Sequence, residues 1–418
     1  MSQGNVVVRL PVESVEFVKE LYPRLREDDA AIERYRHALD RLPPIVVARG
    51  RVLVDGFHRW QAHRREKAAD IAVIDLGNLT DAEIFNESIR RNAAHGQQLS
   101  ARDKENLAGK LWVTLAHLEK GDRTREIAEL LAVGVRTVEL WTKDARKAEK
   151  EQQKAKALDL WLDCLSERDV ADRVGVTQPA INEWVKEFRN TAESYQPDPI
   201  QTFDVWSFQK ADDSGTASHF GRMPGQVVEN LLWLFTKPGD IVFDPFAGGG
   251  TTIEVAKRMG RRVWSSYLNP ATPTLPIHKH DITKGWPDAA PKKADFILLD
   301  PPYWQQAKGR YSDATEDLGN VTLAAFRESW AGVVKTCKAH LSDAGHLAFI
   351  VSPTQLEDGK VIDHAFEMYS ACVAANLTPV RRVIVPYQTQ QATGQQVQWA
   401  KDNKRLLKLY RDLGVFSK

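Results

Sequence analysis

The sequence has 418 residues, of which 43% are hydrophobic and 27% charged, and its formal net charge is +1. This composition is that of a soluble globular protein, the length favours two or three domains, and the neutral charge does not select a partner. The three cysteines, at positions 164, 337 and 372, are too few and too scattered for a disulfide framework or a zinc site. No signal peptide and no apolar run of membrane-spanning length is found, so we expect a cytoplasmic protein without membrane contact.

The first hundred residues contain a predicted β-hairpin that runs into a helix. Residues 44–54 supply the strands and residues 60–67 the helix. Gly56, His58 and Arg59 lie at the junction, where backbone amides and the helix dipole favour an anion. The two side chains add donors that suit phosphate, so the junction is a candidate phosphate site.

This junction, together with residues 86–96, resembles the ParB/sulfiredoxin-like domain. The resemblance implies an α+β domain over residues 1–100 whose loop binds a nucleotide or DNA phosphate. Sulfiredoxins carry a cysteine where Phe57 stands, so their redox chemistry is not expected here. The alternative is that the histidine and arginine merely cap a helix or pair with Asp55.

Two segments, residues 125–141 and 168–184, repeat one apolar pattern at a constant offset. A small alanine, a tight turn and a second helix anchored by tryptophan are typical of the helix-turn-helix. The outward side chains of that second helix would face the major groove, where arginine can read guanine and glutamine or asparagine can read adenine. The candidate DNA-binding residues are Arg136, Thr137, Gln178 and Asn182.

We therefore expect an all-α tandem helix-turn-helix domain over residues 101–195. The alternative is a pair of packed helical hairpins without a DNA role, and the neighbouring ParB-like domain favours DNA. The lysine-rich residues 143–156 are predicted to form a helical connector, and residues 190–199 a linker. Paired DNA readers make a homodimer plausible.

From residue 200 onward predicted strands and helices alternate, which indicates an α/β doubly wound domain over residues 200–418. Strands are predicted at 239–243, 262–266, 294–299, 346–352 and 379–386, and helices at 253–259, 321–341, 361–376 and 396–413. Ligands in such sheets bind at the carboxyl ends of strands, where Asp244, Asp281 and Asp300 fall.

Two segments at these strand ends are candidates for cofactor binding and catalysis. The glycine-rich residues 244–252 allow a cofactor to approach the backbone, and their spacing is neither the dinucleotide fingerprint nor a Walker loop. Residues 300–303, Asp-Pro-Pro-Tyr, follow about 55 residues later. Residues 219–232 resemble motif X of amino-directed DNA methyltransferases, residues 244–252 resemble motif I, and residues 300–303 resemble motif IV. The order X, I, IV is a permuted one for enzymes with this motif IV.

The resemblance implies a Rossmann-like domain that uses S-adenosylmethionine. The residues it assigns to the cofactor are Asp244, Phe246, Ala247, Gly248, Gly250, Thr251 and Asp281, and the catalytic residues are Asp300, Pro301, Pro302 and Tyr303. The Asp300 carboxylate and the Pro301 carbonyl would accept the hydrogens of an exocyclic amino group, and Tyr303 would stack on a base that has left the duplex. The proline pair would stiffen the loop.

Some features separate the alternatives. The family usually ends its second strand with an acid that binds the cofactor ribose, whereas Tyr267 or a neighbour stands there, with a serine or Asn269 as a neutral substitute. His278 and His280 lack further ligands, so no metal is expected. Adenine is favoured over cytosine because an aspartate opens motif IV. Only a short segment, residues 305–320, follows that motif in place of a large variable region. Recognition of the target sequence would therefore fall to the helix-turn-helix repeat.

The leading hypothesis is thus a site-specific DNA methyltransferase whose partner is double-stranded DNA. The competing one is a nucleotide-gated, ParB-like DNA-binding protein with a non-catalytic methyltransferase domain, which the missing acid suggests. RNA or protein as the substrate is weakened by the two helix-turn-helix copies. The combination of modules resembles proteins of phages and mobile elements.

Overall fold

The chain divides into a first unit, Met1–Gln152, and a second unit, Gln153–Lys418. The computed structural model describes residues 6–23, 27–94, 99–197, 199–208, 212–216, 222–270, 275–304, 318–356, 360–387 and 393–418. The boundary falls within helix α7 (Lys143–Leu162), so the two helix-turn-helix copies belong to different units. The separate all-α domain over residues 101–195 therefore stays a prediction.

The first unit combines a four-stranded sheet with helices. Its strands are β1 (Val7–Pro11), β2 (Ile45–Ala48), β3 (Val52–Asp55) and β4 (Asp70–Asp75), in the spatial order β1-β4-β2-β3. Its helices are α1 (Asp29–Arg36), α2 (Phe57–Arg65), α3 (Asp81–Ala94), α4 (Ala101–Thr114), α5 (Lys120–Leu131) and α6 (Val135–Trp141). Strands β2 and β3 pair antiparallel, which confirms the predicted hairpin.

Helix α2 begins three residues earlier than predicted because Gly56 adopts φ +100° and caps its N-terminus. A side chain there would also lie 2.7 Å from Cγ2 of Ile45. Helices α5 and α6 pack against each other around fully buried Ile127 and Val138. The apolar positions of the first repeat are thus core positions.

The second unit is a mixed α/β structure around a largely parallel sheet. Its strands are β5 (Ile241–Asp244), β6 (Arg262–Tyr267), β7 (Ile277–Lys279), β8 (Ala294–Leu299), β9 (Leu341–Val351), β10 (Thr354–Gln355), β11 (Val361–Ile362), β12 (Thr378–Pro386) and β13 (Tyr410–Ser417). Its helices are the end of α7, α8 (Glu167–Val174), α9 (Gln178–Glu193), α10 (Gly225–Phe235), α11 (Thr251–Arg258), α12 (Leu323–His340), α13 (His364–Ala374) and α14 (Gly394–Asp402).

Among the described residues the main sheet has the order β12-β13-β9-β8-β5-β6-β7. The five strands from β9 to β7 run parallel, and β13 is antiparallel to both of its neighbours. Neighbouring residues such as Val242 and Phe243 alternate between two cores, one on each face of the sheet. Burial on both faces explains why these strands read as continuous apolar runs, and the predicted α/β sheet is confirmed.

The closing helix predicted over residues 396–413 is wrong in its second half. Helix α14 ends at Asp402, and Tyr410–Ser417 forms a strand between β12 and β9. Leu413 and Phe416 are fully buried there, and Gly414 lies against the Phe349 ring. Pairing on both sides and burial of this apolar segment outweigh the helical tendency of the preceding basic residues.

The other predicted elements of the second unit exist with shifted ends. Helix α11 begins two residues early, and strand β9 begins five residues early, directly after α12. Helix α9 continues four residues into the predicted linker. Within the described ranges, every helix is too short or too polar to cross a membrane.

Candidate active site

Asp244 ends strand β5 inside the protein. It is 3% exposed, and its Oδ1 accepts a hydrogen bond from the backbone N–H of Phe246 at 2.9 Å. Burial raises the pKa of Asp244 to about 6, although this bond and one from the Thr252 side chain act in the opposite direction. The carboxylate thus shapes the first turn of the glycine-rich loop, residues 244–252.

The glycine-rich loop turns tightly onto the end of strand β6. The N–H of Ala247 donates to the carbonyl of Ser266 at 3.1 Å, and Gly250, with φ +84°, caps helix α11. Gly248 also has positive φ, and Thr251 is buried at the first position of the helix. A helix N-terminus behind a glycine turn leaves amide donors for an anionic or polar ligand.

Asp300 follows strand β8, which neighbours β5 in the sheet. Although the residue as a whole is half-buried, desolvation of its carboxyl raises the pKa of Asp300 to about 7. The positive charge of Arg411 lowers this pKa, the negative charge of Asp244 raises it, and a hydrogen bond from Tyr303 lowers it. The two predicted acidic groups therefore lie together at the carboxyl end of the sheet.

The side chains after Asp300 are held by a second layer. Pro301 is buried, whereas Pro302 and Tyr303 are half-buried, and the Tyr303 hydroxyl is directed to Asp300. The indole Nε1 of Trp304 donates to the carbonyl of Val321 at 2.8 Å. This arrangement fixes the strand end from which Asp300 projects.

Two further residues hold the backbone of Trp304. The hydroxyl of Thr354 donates to the Trp304 carbonyl at 3.1 Å and lies 2.9 Å from Nε2 of buried His364. Since the hydroxyl has one proton, the histidine is the donor in the second bond. Neither residue had a sequence signal, because both lie about 50 residues or more beyond the motif.

The end of strand β6 offers neutral groups where the family usually has an acid. Ser265 and Ser266 are buried, and the described residues provide neither hydroxyl with a hydrogen-bond partner. Asp281 is half-buried and caps a short turn, accepting from the N–H and hydroxyl of Thr283. Both hydroxyls are thus buried and unsatisfied, and a role for either serine as the neutral partner of the cofactor ribose stays a prediction.

The two histidines near this edge have separate surroundings. The His278 ring stacks on Trp264 with centroids 4.4 Å apart, and Nε2 of His280 lies 2.9 Å from the Gly285 carbonyl. In the part of the chain that is described, no three histidine, cysteine, aspartate or glutamate residues could hold a metal ion. Of residues 219–232, positions 219–221 lie outside the described residues, as do 305–317 after the motif.

In the first unit the candidate phosphate-binding side chains have partners within the protein. Arg59 pairs with Asp55 at 2.9 Å and donates to the carbonyls of Pro43 and Pro44. His58 is buried, and its Nε2 accepts from the N–H of Asp28 at 3.1 Å. The pairing with aspartate, which the sequence left open, is thus present, and phosphate binding here stays a prediction.

The candidate DNA-reading residues are mostly exposed. Arg136, Gln178 and Asn182 are exposed, whereas Thr137 is half-buried. The Asn182 amide donates to Glu167 at 3.2 Å. These side chains therefore remain accessible at the starts of α6 and α9.

The second segment predicted as a helix-turn-helix is fixed to the sheet of its own unit, which the sequence had not indicated. Nζ of Lys257, in α11, lies 2.7 Å from Asp159 and 2.8 Å from Asp163. The Arg262 guanidinium donates to the carbonyls of Trp161 and Leu165, both at 3.1 Å. These contacts join the end of α7 to the first residue of β6.

Two glycines allow helix α9 to approach the same end of the sheet. Gly260 has φ +76°, and a Cβ there would lie 2.6 Å from the Cβ of Ala192. Gly239 has φ +91°, and a Cβ there would lie 2.8 Å from Nε of Arg189. Since both glycines precede parallel strands, helix α9 contacts the amino ends of these strands, opposite the edge with Asp244 and Asp300.

A family model described as DNA methylase, for N6 and N4 methylation, matches residues 108–268. The match includes the glycine-rich loop and ends before Asp300. The chain is similar to DNA methylases. The resemblance that the two motifs indicated is therefore confirmed.

Curated DNA methylases match shorter stretches. The type II methyltransferase M2.DpnII of Streptococcus pneumoniae is 42% identical over 67 residues, which are 16% of this chain and 25% of that protein. M2.LlaDCHI of Lactococcus lactis subsp. cremoris is 37% identical over 90 residues, 21% of this chain and 33% of that protein. The chain thus spans only a quarter to a third of these two relatives.

Solved structures with similarity to the chain include methyltransferases and ParB proteins. TrmN from Thermus thermophilus has a TM-score of 0.31 and 16% identity, and the match covers 48% of this chain and 50% of TrmN. C-terminally truncated ParB from Caulobacter crescentus, complexed to the centromeric parS site, has a TM-score of 0.26 and 15% identity. That match covers 43% of this chain and 99% of the ParB chain.

Proposed function

We propose that the chain transfers a methyl group from S-adenosylmethionine to an exocyclic amino group of a base in double-stranded DNA. The observation that carries the proposal is the position of Asp300 at the end of β8. It lies beside the strand that leads into the glycine-rich loop, with its pKa raised to about 7. A carboxyl of this kind can accept a hydrogen bond, and then a proton, near neutral pH.

The chemistry needs an acceptor because an exocyclic amino nitrogen shares its lone pair with the base ring. The Asp300 carboxylate and the Pro301 carbonyl are two acceptors on adjacent residues, suited to the two amino hydrogens. Accepting these hydrogens directs the lone pair out of the ring and stabilises the positive charge that develops on nitrogen. As nitrogen gains the methyl group, the methyl carbon would part from sulfur, which would keep the electron pair and leave as S-adenosylhomocysteine, and Asp300 would take the proton that nitrogen loses.

The glycine-rich loop and its neighbours would hold the cofactor. When bound, S-adenosylmethionine supplies a methyl carbon made electrophilic by the sulfonium. Loop residues 244–251 line the turn, Asp281 would meet the adenine, and the hydroxyls of Ser265 and Ser266 are neutral candidates for the ribose. A neutral partner in place of an acid predicts weaker cofactor binding than a carboxylate would give.

Adenine is the favoured base, because the motif opens with aspartate, and cytosine is the alternative. A base inside a duplex cannot reach Asp300, so the target must leave the stack. Tyr303 is half-buried with its hydroxyl near Asp300, and a shift of this ring onto the base would exchange that bond for stacking. The tyrosine would thereby sense the arrival of the base.

DNA is the proposed macromolecular partner, bound in part by the exposed Arg136, Gln178 and Asn182, with Thr137 beside them. A nucleotide at residues 56–59 would have to displace the present partners of Arg59. A homodimer would present a second pair of readers. These roles come with the resemblance and are separate from methyl transfer.

The test is mass spectrometry of nucleosides from DNA incubated with the full chain and S-adenosylmethionine. Asp300→Asn removes the negative charge and the group that can take a proton, leaving only an amide oxygen, and Asp288→Asn, at an exposed aspartate of the same unit, is the matched control. We expect methyladenine with the native chain and the control, and a loss of at least about 100-fold with Asp300→Asn.

Two other outcomes have defined meanings. Methylcytosine would keep the reaction and correct the base. No methylated base on varied DNA, together with no cofactor binding by calorimetry, would overturn the proposal and favour the non-catalytic DNA-binding alternative.

A further inference from the structure

A buried cation lies at the same end of the sheet as Asp300. Arg411 is 5% exposed, and its Nε is buried without a hydrogen-bond partner. The guanidinium forms no hydrogen bond or ion pair with any residue that the structure describes. An arginine is rarely buried without a partner because its desolvation is costly. Its charge therefore needs a compensating group nearby.

The strand register brings Arg411 to the carboxyl end of the parallel strands. Strand β13 runs antiparallel to β9, with Asp412 opposite Val351, so Arg411, the residue before Asp412, lies just beyond this pair at the carboxyl end of β9. Strand β9 runs parallel to β8, with Phe349 opposite Leu299. Arg411 and Asp300 are thus on either side of β9, separated by two strand spacings of about 10 Å in total at the backbone.

Aromatic and hydroxyl groups fix this side chain. The guanidinium carbon lies 5.2 Å from the centroid of the Tyr387 ring. The Tyr387 hydroxyl donates to the Ser352 hydroxyl at 3.2 Å, which in turn donates to the Tyr410 carbonyl at 3.2 Å. A stacked guanidinium has a defined direction, so its charge acts on a defined neighbour.

That neighbour is the Asp300 carboxyl. The positive charge of Arg411 lowers the pKa of Asp300, against the burial and the Asp244 charge that raise it. The other charged groups near this end are Asp412, which pairs with Arg382 at 2.7 Å, and half-buried Lys408, whose pKa burial lowers to about 8. Of these groups, Arg411 is the cation that acts on Asp300.

We propose that Arg411 is a positioning residue that keeps the Asp300 carboxyl ionised and oriented as the acceptor of the amino hydrogens. The guanidinium does not touch the base or the cofactor and takes no proton. The catalytic meaning of this inference rests on the proposed methyl transfer, whereas the effect of the Arg411 charge on Asp300 does not. The two parts can therefore be tested separately.

The first test needs no activity. The full chain is labelled with ¹³C at the aspartate carboxyls, and the Asp300 signal is identified by its loss in Asp300→Asn. Arg411→Met removes the charge, Arg411→Lys keeps it, and Arg382→Met removes an arginine that pairs elsewhere in the same sheet. We expect the Asp300 titration to move up by about one pH unit or more in Arg411→Met, and to stay near the native value in the other two.

The second test follows the rate of methyl transfer with pH. The acid limb of the Arg411→Met profile should move up by the same amount as the NMR titration, with KM for S-adenosylmethionine unchanged. Thermal melts verify that each variant is folded. If Arg411→Met does not fold, Arg411→Gln takes its place, with the same expected shift.

Either of two results would overturn the inference. One is an Asp300 titration that moves by less than about 0.3 pH units in folded Arg411→Met. The other is a loss of activity at all pH values without a shifted acid limb, which would indicate a merely structural arginine. If the native chain transfers no methyl group at all, the proposed function fails, and the NMR titration still decides the pairing.

Discussion

Lys257 and Asp163 form an ion pair between the helix that follows the glycine-rich loop and the turn that leads from α7 into α8. Nζ and Oδ1 are 2.8 Å apart, and both side chains are 20% exposed. The pair connects the element proposed to hold the cofactor with the element proposed to read DNA. A displacement of one element should therefore displace the other.

A double-mutant cycle tests this connection. We expect Lys257→Met and Asp163→Asn to show a coupling free energy of about 1–2 kcal/mol in urea unfolding, because the pair is largely shielded from water. The same lysine pairs with Asp159, which is 64% exposed, so the Lys257/Asp159 cycle is the control, with a coupling below about 0.5 kcal/mol. Equal coupling free energies in the two cycles would contradict the expectation that the more buried ion pair is the stronger one.

The approach of α9 to the sheet predicts that Gly260→Ala is costly. Alanine at φ +76° is strained, and its Cβ would lie 2.6 Å from that of Ala192, so we expect a loss of about 2–3 kcal/mol in unfolding free energy. Gly175→Ala is the matched control, because Gly175 has φ +72° with nothing within 4 Å and should lose about 1 kcal/mol. Similar losses for the two variants would contradict the close packing.

Asp300→Asn should increase stability at alkaline pH while it abolishes methyl transfer. The pKa of Asp300 is raised to about 7 in the folded protein, so the folded state binds its proton more tightly than the unfolded state. Stability from this group is present at low pH and is lost as pH rises from about 4 to 7. The variant should exceed the native chain by about 1–2 kcal/mol at pH 8, with the difference closing near pH 4.

Thermal or urea unfolding across pH measures this effect. Asp288→Asn, at an exposed position, is the control. A stability difference between Asp300→Asn and the native chain that stays constant between pH 4 and 8 would exclude a raised Asp300 pKa.

Thr354→Val should reduce methyl transfer more than it reduces stability. The change removes the hydroxyl that holds the Trp304 carbonyl and accepts from His364, so about 1–2 kcal/mol of stability should be lost. Loosening of the backbone next to Tyr303 should lower kcat by about tenfold, since small displacements of acceptors weaken positioning. Thr191→Val is the control, because its hydroxyl bonds only back to the Glu187 carbonyl on exposed α9. An unchanged kcat in folded Thr354→Val would refute this role.

The sequence by itself determined the parallel core of the second unit and the two acidic strand ends. Residues 296–299 are continuously apolar because both faces of the sheet are covered, so this stretch is recognisable from the sequence alone. The glycines of residues 244–252 and the prolines after Asp300 are local requirements of a turn, so they are visible without the fold. The β-hairpin at residues 45–55 is likewise a local structure that the sequence predicts without knowledge of the fold.

Only the tertiary structure decided which distant groups meet these residues. The sequence predicted a helix where strand β13 begins, because the stability of this strand comes from pairing with β12 and β9, which are distant in the sequence. Arg411 lies at the carboxyl end of the parallel strands, and Thr354 bonds to Trp304, through the same long-range pairing and packing. The attachment of the second helix-turn-helix depends on Gly260 meeting Ala192, a contact that no local pattern encodes. Turns and strands depend on neighbouring residues and can be predicted from them. Charge interactions and close packing depend on which distant segments the folded sheet brings together.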